Sequence, residues 1–472
     1  MIQATTFAGK NVAVFGLGAT GLATIASLQA AGANVTAFDD NAASCADVRK
    51  QGIHIADLRQ VDWQQIDALV LSPGVPLTHP EPHWTVGLAK ESGVEIIGDT
   101  EILVRELEHR SPQANLVAIT GTNGKSTTTA LLGHVLKCGG IATQIGGNIG
   151  KPVLELDLPG PDQALVVEFS SYQIDLTPTL CPRVSILLNL SYDHIDRHGS
   201  MANYASVKAR IFARQGSGDV AVIGVDDQWS QDIYKMLNRD VQVLPVSCRE
   251  EAGTGLFAKD AVLYDATGDL PVAVADLHQA PALKGVHNWQ NAAAVYAAAR
   301  ALGLTGQVIE QGFRTFPGLA HRMECVGHSR DAVFINDTKA TNADAAARAL
   351  ATFDHIYWIA GGLAKEGGIE SLRPYFGKII KAYLIGDAAD RFARTLGHDV
   401  KFEIAGTMEK AVAAAARDVA VNAQQTDSQA TVLLAPACAS FDQYRRFELR
   451  GDAFRTAVAG LEGVNMKQVD IT

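Results

Sequence analysis

Short apolar runs with strand character alternate with longer helix-like stretches along nearly the whole chain. Strands joined by helical crossovers lie parallel, with the helices packed on the faces of the sheet, so the alternation points to an α/β class. The first series runs from "NVAVF" through "DALVLSPGV" and "VEIIGD" to the helical "TEILVRELEHR", after which "SPQAN" intervenes. A second series holds "LVAIT", "ALVVEFS", "RVSILLNL" and "DVAVIGVDD", a less regular β-rich stretch over 241–275, and the helix "NWQNAAAVYAAARALG". The break "RTFPGLAHR", with Pro317 and Gly318, reads as a linker. Beyond it, "AVFIND", "IYWIAGG", "KAYLIGD" and "TVLLAPA" form a third series. A chain of 472 residues exceeds what one core serves, and the expectation is three domains spanning 1–105, 106–317 and 318–472.

Two glycine motifs sit at strand-to-helix turns. In "VAVFGLGATGLATIASLQAAG", Gly16, Gly18 and Gly21 let backbone approach a diphosphate at a helix N-terminus, and Asp39 follows where an acidic residue holds a ribose hydroxyl. The motif leaves a nicotinamide or flavin, another diphosphate ligand and a merely tight turn all open. In "VAITGTNGKSTTTALLGHVL", Gly121, Thr122, Asn123 and Gly124 lead into Lys125, Ser126 and Thr127. Backbone N–H groups, a helix dipole, an ammonium and a metal-binding hydroxyl there converge on a triphosphate. The common pattern G-x-x-x-x-G-K-[ST] has a glycine where this chain has Ile119, and a glycine-rich turn with an exposed lysine is the bland alternative.

A metal on a triphosphate needs further oxygen ligands, and Glu168 ends the apolar run "ALVVE", where a carboxylate is costly without a cation or donors. Capping of "SSYQ" is its plainer role. In "LNLSYDHIDRHGS", Asp193, His194, Asp196 and His198 crowd one loop, a setting for a metal or an anion; His198 reads as a surface residue. By residue type, Lys208 is an exposed helical lysine, Asn288 and Asn291 cap a helix, and Phe447 belongs to the core.

The formal charge of -11 and pI near 5.6, with no Lys/Arg-rich run, argue against a nucleic-acid partner. Cysteines 45, 138, 181, 248, 325 and 438 form no CxxC pair, which argues against a disulfide frame or zinc knuckle. "MIQATTFAGK" lacks the regions of a signal peptide and no apolar stretch spans a bilayer, so the expectation is a cytoplasmic protein without membrane insertion.

The motifs "TGTNGKST", the strand ending in Glu168, "NLSYDHIDRH", Lys208 in "YASVKARIF" and "HNWQNAAA" together resemble the central ATPase domain of the Mur ligases, to which folylpolyglutamate synthetases are related. "GLGATG" and "SPGV" before them, and "NDTKATN" and "APACASFDQYRRFELRGDAF" after them, extend the resemblance over the chain and narrow it to members that act on D-glutamate. It implies a Rossmann-like N-terminal domain, a P-loop mononucleotide-binding central domain and a Rossmann-like C-terminal domain. It also implies a monomer that uses ATP and two Mg²⁺ ions to join D-glutamate to UDP-N-acetylmuramoyl-L-alanine through an acyl phosphate.

Carried over residue by residue, the resemblance gives Lys125, Glu168, His194 and Lys208 catalytic roles, with Ser126, Glu168, His194 and a carbamylated Lys208 as metal ligands. ATP would be held by Gly121 to Thr127 with Asn291, Arg322, Asp337 and Lys339. The UDP-linked substrate would meet Gly18, Ala19, Thr20, Asp39, Gly74, Asn148 and His194, and D-glutamate would meet Thr341, Lys365, Ser440, Phe441 and Phe447. The chain departs from the family pattern at "FDDNAA", where Asp40 and Asn41 replace a Thr-Arg pair, and at "GGLAKEG" around Lys365. Rival readings are a folylpolyglutamate synthetase-like ligase, a nicotinamide-dependent oxidoreductase using the first glycine motif, and a non-enzymatic nucleotide switch.

Overall fold

The computed structural model describes residues 1–237, 240–249, 254–364, 368–423 and 429–466. They build three sheets. The first is wholly parallel, in the order β2-β1-β3-β4, from β1 (Asn11–Phe15), β2 (Asn34–Phe38), β3 (Ala68–Leu71) and β4 (Glu95–Ile97). Every residue of β3 is buried, as suits a parallel strand covered on both faces.

The second sheet takes β5 (Asn115–Thr120), β6 (Thr143–Gly147), β7 (Ala164–Glu168), β8 (Val184–Leu187), β9 (Val220–Gly224), β10 (Gln242–Ser247), β11 (Leu256–Lys259), β12 (Val262–Asp265) and β13 (Val272–Asp276). Its order is β13-β12-β11-β10-β9-β8-β5-β7-β6, parallel except for the β11-β12-β13 meander, which accounts for the irregular stretch over 241–275. In the third sheet, β14 (Glu324–His328), β15 (Ala332–Asn336), β16 (Ile356–Gly361), β17 (Ile379–Ile385), β18 (Phe402–Gly406), β19 (Ala430–Leu434) and β20 (Asn465–Met466) are ordered β18-β17-β16-β19-β15-β14-β20, with β14 antiparallel to both neighbours.

The chain divides into two compact units, Met1–Ala280 with Val286–Thr315, and Pro281–Gly285 with Phe316–Thr472. The first two sheets therefore lie in one unit. The helix Asp99–Arg110 ties them together through two buried carboxylates. Glu106 accepts from Thr5 Oγ1 and the Thr6 N–H at 2.6 Å each, while Glu101 accepts from Arg105 Nε at 2.8 Å and the Thr179 N–H at 3.0 Å. Each carboxylate thus has charged or N–H donors in place of water, which is what makes its burial tolerable. In the second unit, apolar side chains such as Trp358 and Leu372 on one face of the sheet and Phe334 and Phe454 on the other make the core. Among the described residues no helix is long and apolar enough to cross a membrane.

Candidate active site

In the second sheet the chain passes from β7 to β8 across β5, and ligands of open α/β sheets settle at the carboxyl ends of strands beside such a switch. The loop Gly121–Gly124 leaves β5 there and enters the helix Lys125–Cys138, whose first N–H groups have no intrahelical acceptors. Gly124 has φ +87°, and a Cβ on it would run into the Asn291 side chain. That contact places buried Asn291 against the loop. Asn291 Nδ2 donates to Asn288 Oδ1 at 3.1 Å, and both lie inside the helix Val286–Ala301, so the capping role expected of them is corrected. Lys125 folds back to donate to the carbonyls of Gly121 and Thr122 at 2.9 Å each. Ser126 is buried in the helix's first turn, followed by half-buried Thr127.

Glu168 pairs with Ile119 across the β5-β7 ladder and is 1% exposed. Asn148, on the loop after β6, donates through Nδ2 to Glu168 Oε1 at 2.8 Å; Oε2 has no hydrogen-bond partner among the described residues. A buried carboxylate oxygen left unpaired at the mouth of a glycine loop suits a cation held there. No group of three or more His, Cys, Asp or Glu converges among the described residues. A lone carboxylate oxygen, with the Ser126 hydroxyl on the helix that the loop enters, suits Mg²⁺, which takes one or two carboxylates and completes its shell with phosphate oxygens and water.

Lys208 overturns its expected exposure. The helix Met201–Ala209 carries it beneath the same loop, 1% exposed, where Nζ donates to Thr120 Oγ1 at 2.9 Å and to the Gly121 carbonyl at 3.0 Å. Burial, and then the charge of Lys125, hold its ammonium well below the ordinary lysine range. His194, in the left-handed region at φ +54°, bonds through Nδ1 to Tyr172 Oη at 2.8 Å. Burial foremost lowers its pKa, with Lys125 and Lys208 acting in the same direction against Asp193. His198 is likewise no surface residue: it is 4% exposed, bonds Ser171 Oγ at 2.9 Å and stacks on Tyr172. Arg197 reaches the Gly74 carbonyl at 2.8 Å, joining this loop to "SPGV".

On the first sheet, Gly18 precedes the helix Ala19–Ala30, which begins with Ala19 and Thr20. Asp39 accepts from the Leu17 N–H at 2.7 Å and the Asn41 N–H at 2.8 Å, so it braces the glycine turn against the end of β2. Asn41 caps the following helix. Asp40 is a hub that sequence reasoning missed: it meets His83 Nε2 at 2.9 Å and Trp84 Nε1 at 3.3 Å, and Arg59, stacked over Trp84, at 3.4 Å.

In the second unit Arg322 stands between His321 (φ +64°) and Met323 (φ +46°), two non-glycine residues in the left-handed region, a strained setting of the kind found at functional sites. Asp337, at the end of β15, accepts from the Met323 N–H at 3.1 Å, and burial pushes its carboxyl up to about 6. Lys339 lies 4.0 Å over the ring of Phe447, which is half-buried against this loop and joins neither core cluster of the unit, so its expected place in the core is corrected. Thr341 is half-buried, Ser440 is buried, and Phe441 stands out 70% exposed. Lys365 lies outside the described residues.

Three family models match the chain: Mur ligase MurD-like, N-terminal domain, over 10–98; Mur ligase middle domain, over 119–299; and Mur ligase, glutamate ligase domain, over 321–438. A protein of Rhizobium meliloti (strain 1021) named UDP-N-acetylmuramoylalanine--D-glutamate ligase is 55% identical over 467 residues, covering 99% of this chain and 100% of its own. A protein of the same name from Caulobacter vibrioides is 51% identical, with 98% of each chain covered. Among solved structures, MurF from Acinetobacter baumannii has a TM-score of 0.56 at 21% identity, covering 75% of this chain and 79% of its own. MurC from Thermotoga maritima has a TM-score of 0.53 at 18% identity, covering 94% and 99%. At such identities these structures show likeness of fold alone.

Proposed function

The chain belongs to the Mur ligase family, and from that premise we propose that it is an ATP-dependent amide ligase that adds D-glutamate to UDP-N-acetylmuramoyl-L-alanine in peptidoglycan precursor synthesis. The observation that carries the chemistry is the convergence beneath one glycine loop of a buried, half-unpaired carboxylate and a buried lysine with a depressed pKa. Each is costly as plain structure, and together beneath one loop they suit a site for a metal-bound triphosphate.

The alanine carboxylate attacks the γ-phosphorus of ATP, the bond from that phosphorus to the bridging oxygen breaks, ADP leaves with its electrons, and an acyl phosphate results. The D-glutamate amine attacks its carbonyl carbon, a C–N bond forms, and phosphate leaves with the C–O bond electrons while the amine loses a proton. Residues 1–105 form a Rossmann-like domain for the UDP-linked substrate, 106–317 a P-loop ATPase domain, and 318–472 a Rossmann-like domain for the amino acid. Gly121 to Thr127 cradle the phosphates, and Lys125 exchanges the loop carbonyls for phosphate oxygens. Asn291 meets adenine, Asp337 the ribose, and Arg322 and Lys339 the phosphates. Gly18 to Thr20, Asp39, Gly74, Asn148 and His194 hold the UDP-linked substrate, and Thr341, Lys365, Ser440, Phe441 and Phe447 hold D-glutamate.

Two Mg²⁺ ions, one on Ser126 and Glu168 and one on His194 and a modified Lys208, would neutralise phosphate charge when bound. The modification is carbamylation. The neutral Lys208 amine, available because burial lowers its pKa, bonds through its lone pair to the carbon of CO₂ and releases a proton, which turns a cation into an anionic oxygen donor. The protein acts in the cytoplasm as a monomer on small molecules.

The test is phosphate release from ATP with UDP-N-acetylmuramoyl-L-alanine, with and without D-glutamate. Sustained release that requires both substrates is expected. Release indifferent to D-glutamate, or equal with L-glutamate, overturns the reading.

A further inference from the structure

Arg450 lies in the first turn of the helix Phe447–Ala459 and is 1% exposed. Its guanidinium has five N–H donors, and all are taken. Nε donates to Thr338 Oγ1 at 3.0 Å, Nη1 to the carbonyls of Gly361 and Ala439 at 3.4 and 3.2 Å, and Nη2 to those of Thr338 and Cys438 at 3.0 Å each. These acceptors belong to the ends of β15, β16 and β19, neighbours in the sheet, so one side chain gathers the three connections on its carboxyl edge. Gly362, at φ +127°, makes the approach possible, since a Cβ there would crowd the guanidinium and the Ala439 carbonyl. The same connections also hold each other: Leu363 and Ala439 exchange N–H···O bonds at 2.9 and 3.1 Å, and the Ala437 N–H donates to the Ala340 carbonyl at 2.9 Å.

None of the five acceptors is a carboxylate. A buried cation is costly; five aimed dipoles replace its water, and the nearby Asp442 carboxylate offsets part of its charge without pairing directly with it. The carboxyl edge of a sheet is where ligands of such folds bind, and here that edge rests on a buried positive charge.

We infer that Arg450 is the positioning residue of the amino-acid site: it fixes the loops that carry Thr341 and Ser440 in one register and biases that edge toward a dicarboxylate, without itself touching substrate. This rests on the proposal that the second unit binds D-glutamate. Lysine cannot replace it, because an ammonium offers donors from one point and cannot span three separate connections.

The experiment is steady-state kinetics of the full chain carrying Arg450→Lys and Arg450→Ala. The expected result is a KM for D-glutamate raised about tenfold or more in both, a smaller rise for ATP, and a KM for the UDP-linked substrate within about twofold of the parent. Ethylguanidinium should restore part of the D-glutamate affinity of Arg450→Ala but not of Arg450→Lys. A D-glutamate KM that does not rise above that of ATP in Arg450→Lys overturns the proposal. Should Arg450→Ala fail to fold, the lysine variant decides alone. Failure of the parent chain to use D-glutamate would instead sink the ligase reading, a separate outcome.

Discussion

Lys208 beneath the glycine loop and Arg450 beneath the carboxyl edge of the third sheet are equally buried, at 1% exposure each, but their surroundings ask different things of them. Lys208 finds two acceptors, Thr120 Oγ1 and the Gly121 carbonyl, and it has Lys125 as an unfavourable neighbour. Two hydrogen-bond acceptors, with the Tyr204 ring 5.1 Å from Nζ on a further side, match the two N–H bonds of a neutral amine. Arg450 finds five acceptors for five donors and stays a cation, with burial lowering its pKa only to about 10. The number of acceptors around a buried basic group thus separates a reactive amine from a fixed charge.

Exchanging the two chemistries at Lys208 gives the largest expected effect. Lys208→Arg restores a permanent charge where two acceptors exist and removes the amine that takes up CO₂, so ligation should fall about a thousandfold, as in Lys208→Ala. Acetate should return part of the activity to the alanine variant by supplying a carboxylate in the vacated space, and none to the arginine variant. Unimpaired turnover by Lys208→Arg would end the carbamate proposal.

Glu168→Gln tests the other half of the buried pair. The amide keeps the contact with Asn148 but puts a neutral group where the unpaired Oε2 now lies. A roughly hundredfold lower kcat and a raised Mg²⁺ requirement are expected. An unchanged Mg²⁺ titration curve would show that Oε2 does not face the ion.

The contrast also marks what sequence can show. The alternation of apolar strands and helices indicates three series, and each becomes a sheet, because burial on both faces leaves its mark on central strands such as β3, β7 and β16. The glycine loop, Glu168 and His194 are visible because strand-to-helix turns with glycine and acid have few other uses. Lys208 and His198 read as exposed because residue type is the only local guide, and their burial comes from the helix Met201–Ala209 and the short helix Ser171–Asp175 that carries Tyr172. Arg450 is not legible in "FELRGDAF": its acceptors lie from 11 to 112 residues away, and nothing local marks an arginine that binds backbone. Asp40 escapes similarly, since its partners His83 and Trp84 come from beyond β3.

Buried acids carry the comparison to smaller effects. Asp337, raised to about 6 by burial, offers acceptors to both hydroxyls of a ribose only when ionised, because protonation turns one of its oxygens into a donor. The KM for ATP should therefore be about tenfold higher at pH 5 than at pH 7, following the ionised fraction, and Asp337→Asn should flatten that profile. A profile that persists in the variant would assign the titration to another group.

Asp99 has the same displacement for the same reason but lies at the start of the helix Asp99–Arg110, away from the site residues, with Oδ1 lacking a partner among the described residues. Its folded-state pKa of about 6 lies above the ordinary aspartate value of 3.8, so its contribution to stability is fully present below about pH 4 and is lost as pH rises through 6. Asn keeps the shape of the protonated acid and cannot ionise. Asp99→Asn should therefore be more stable than the parent at pH 8, by about 1–2 kcal/mol once the lost attraction to the helix N-terminus is deducted, and most of the gap should close by about pH 4. Urea unfolding at the two pH values measures this. A variant weaker than the parent at pH 8 would mean that the helix N-terminus holds the carboxylate ionised, and that burial here, unlike at Lys208, does not decide the charge.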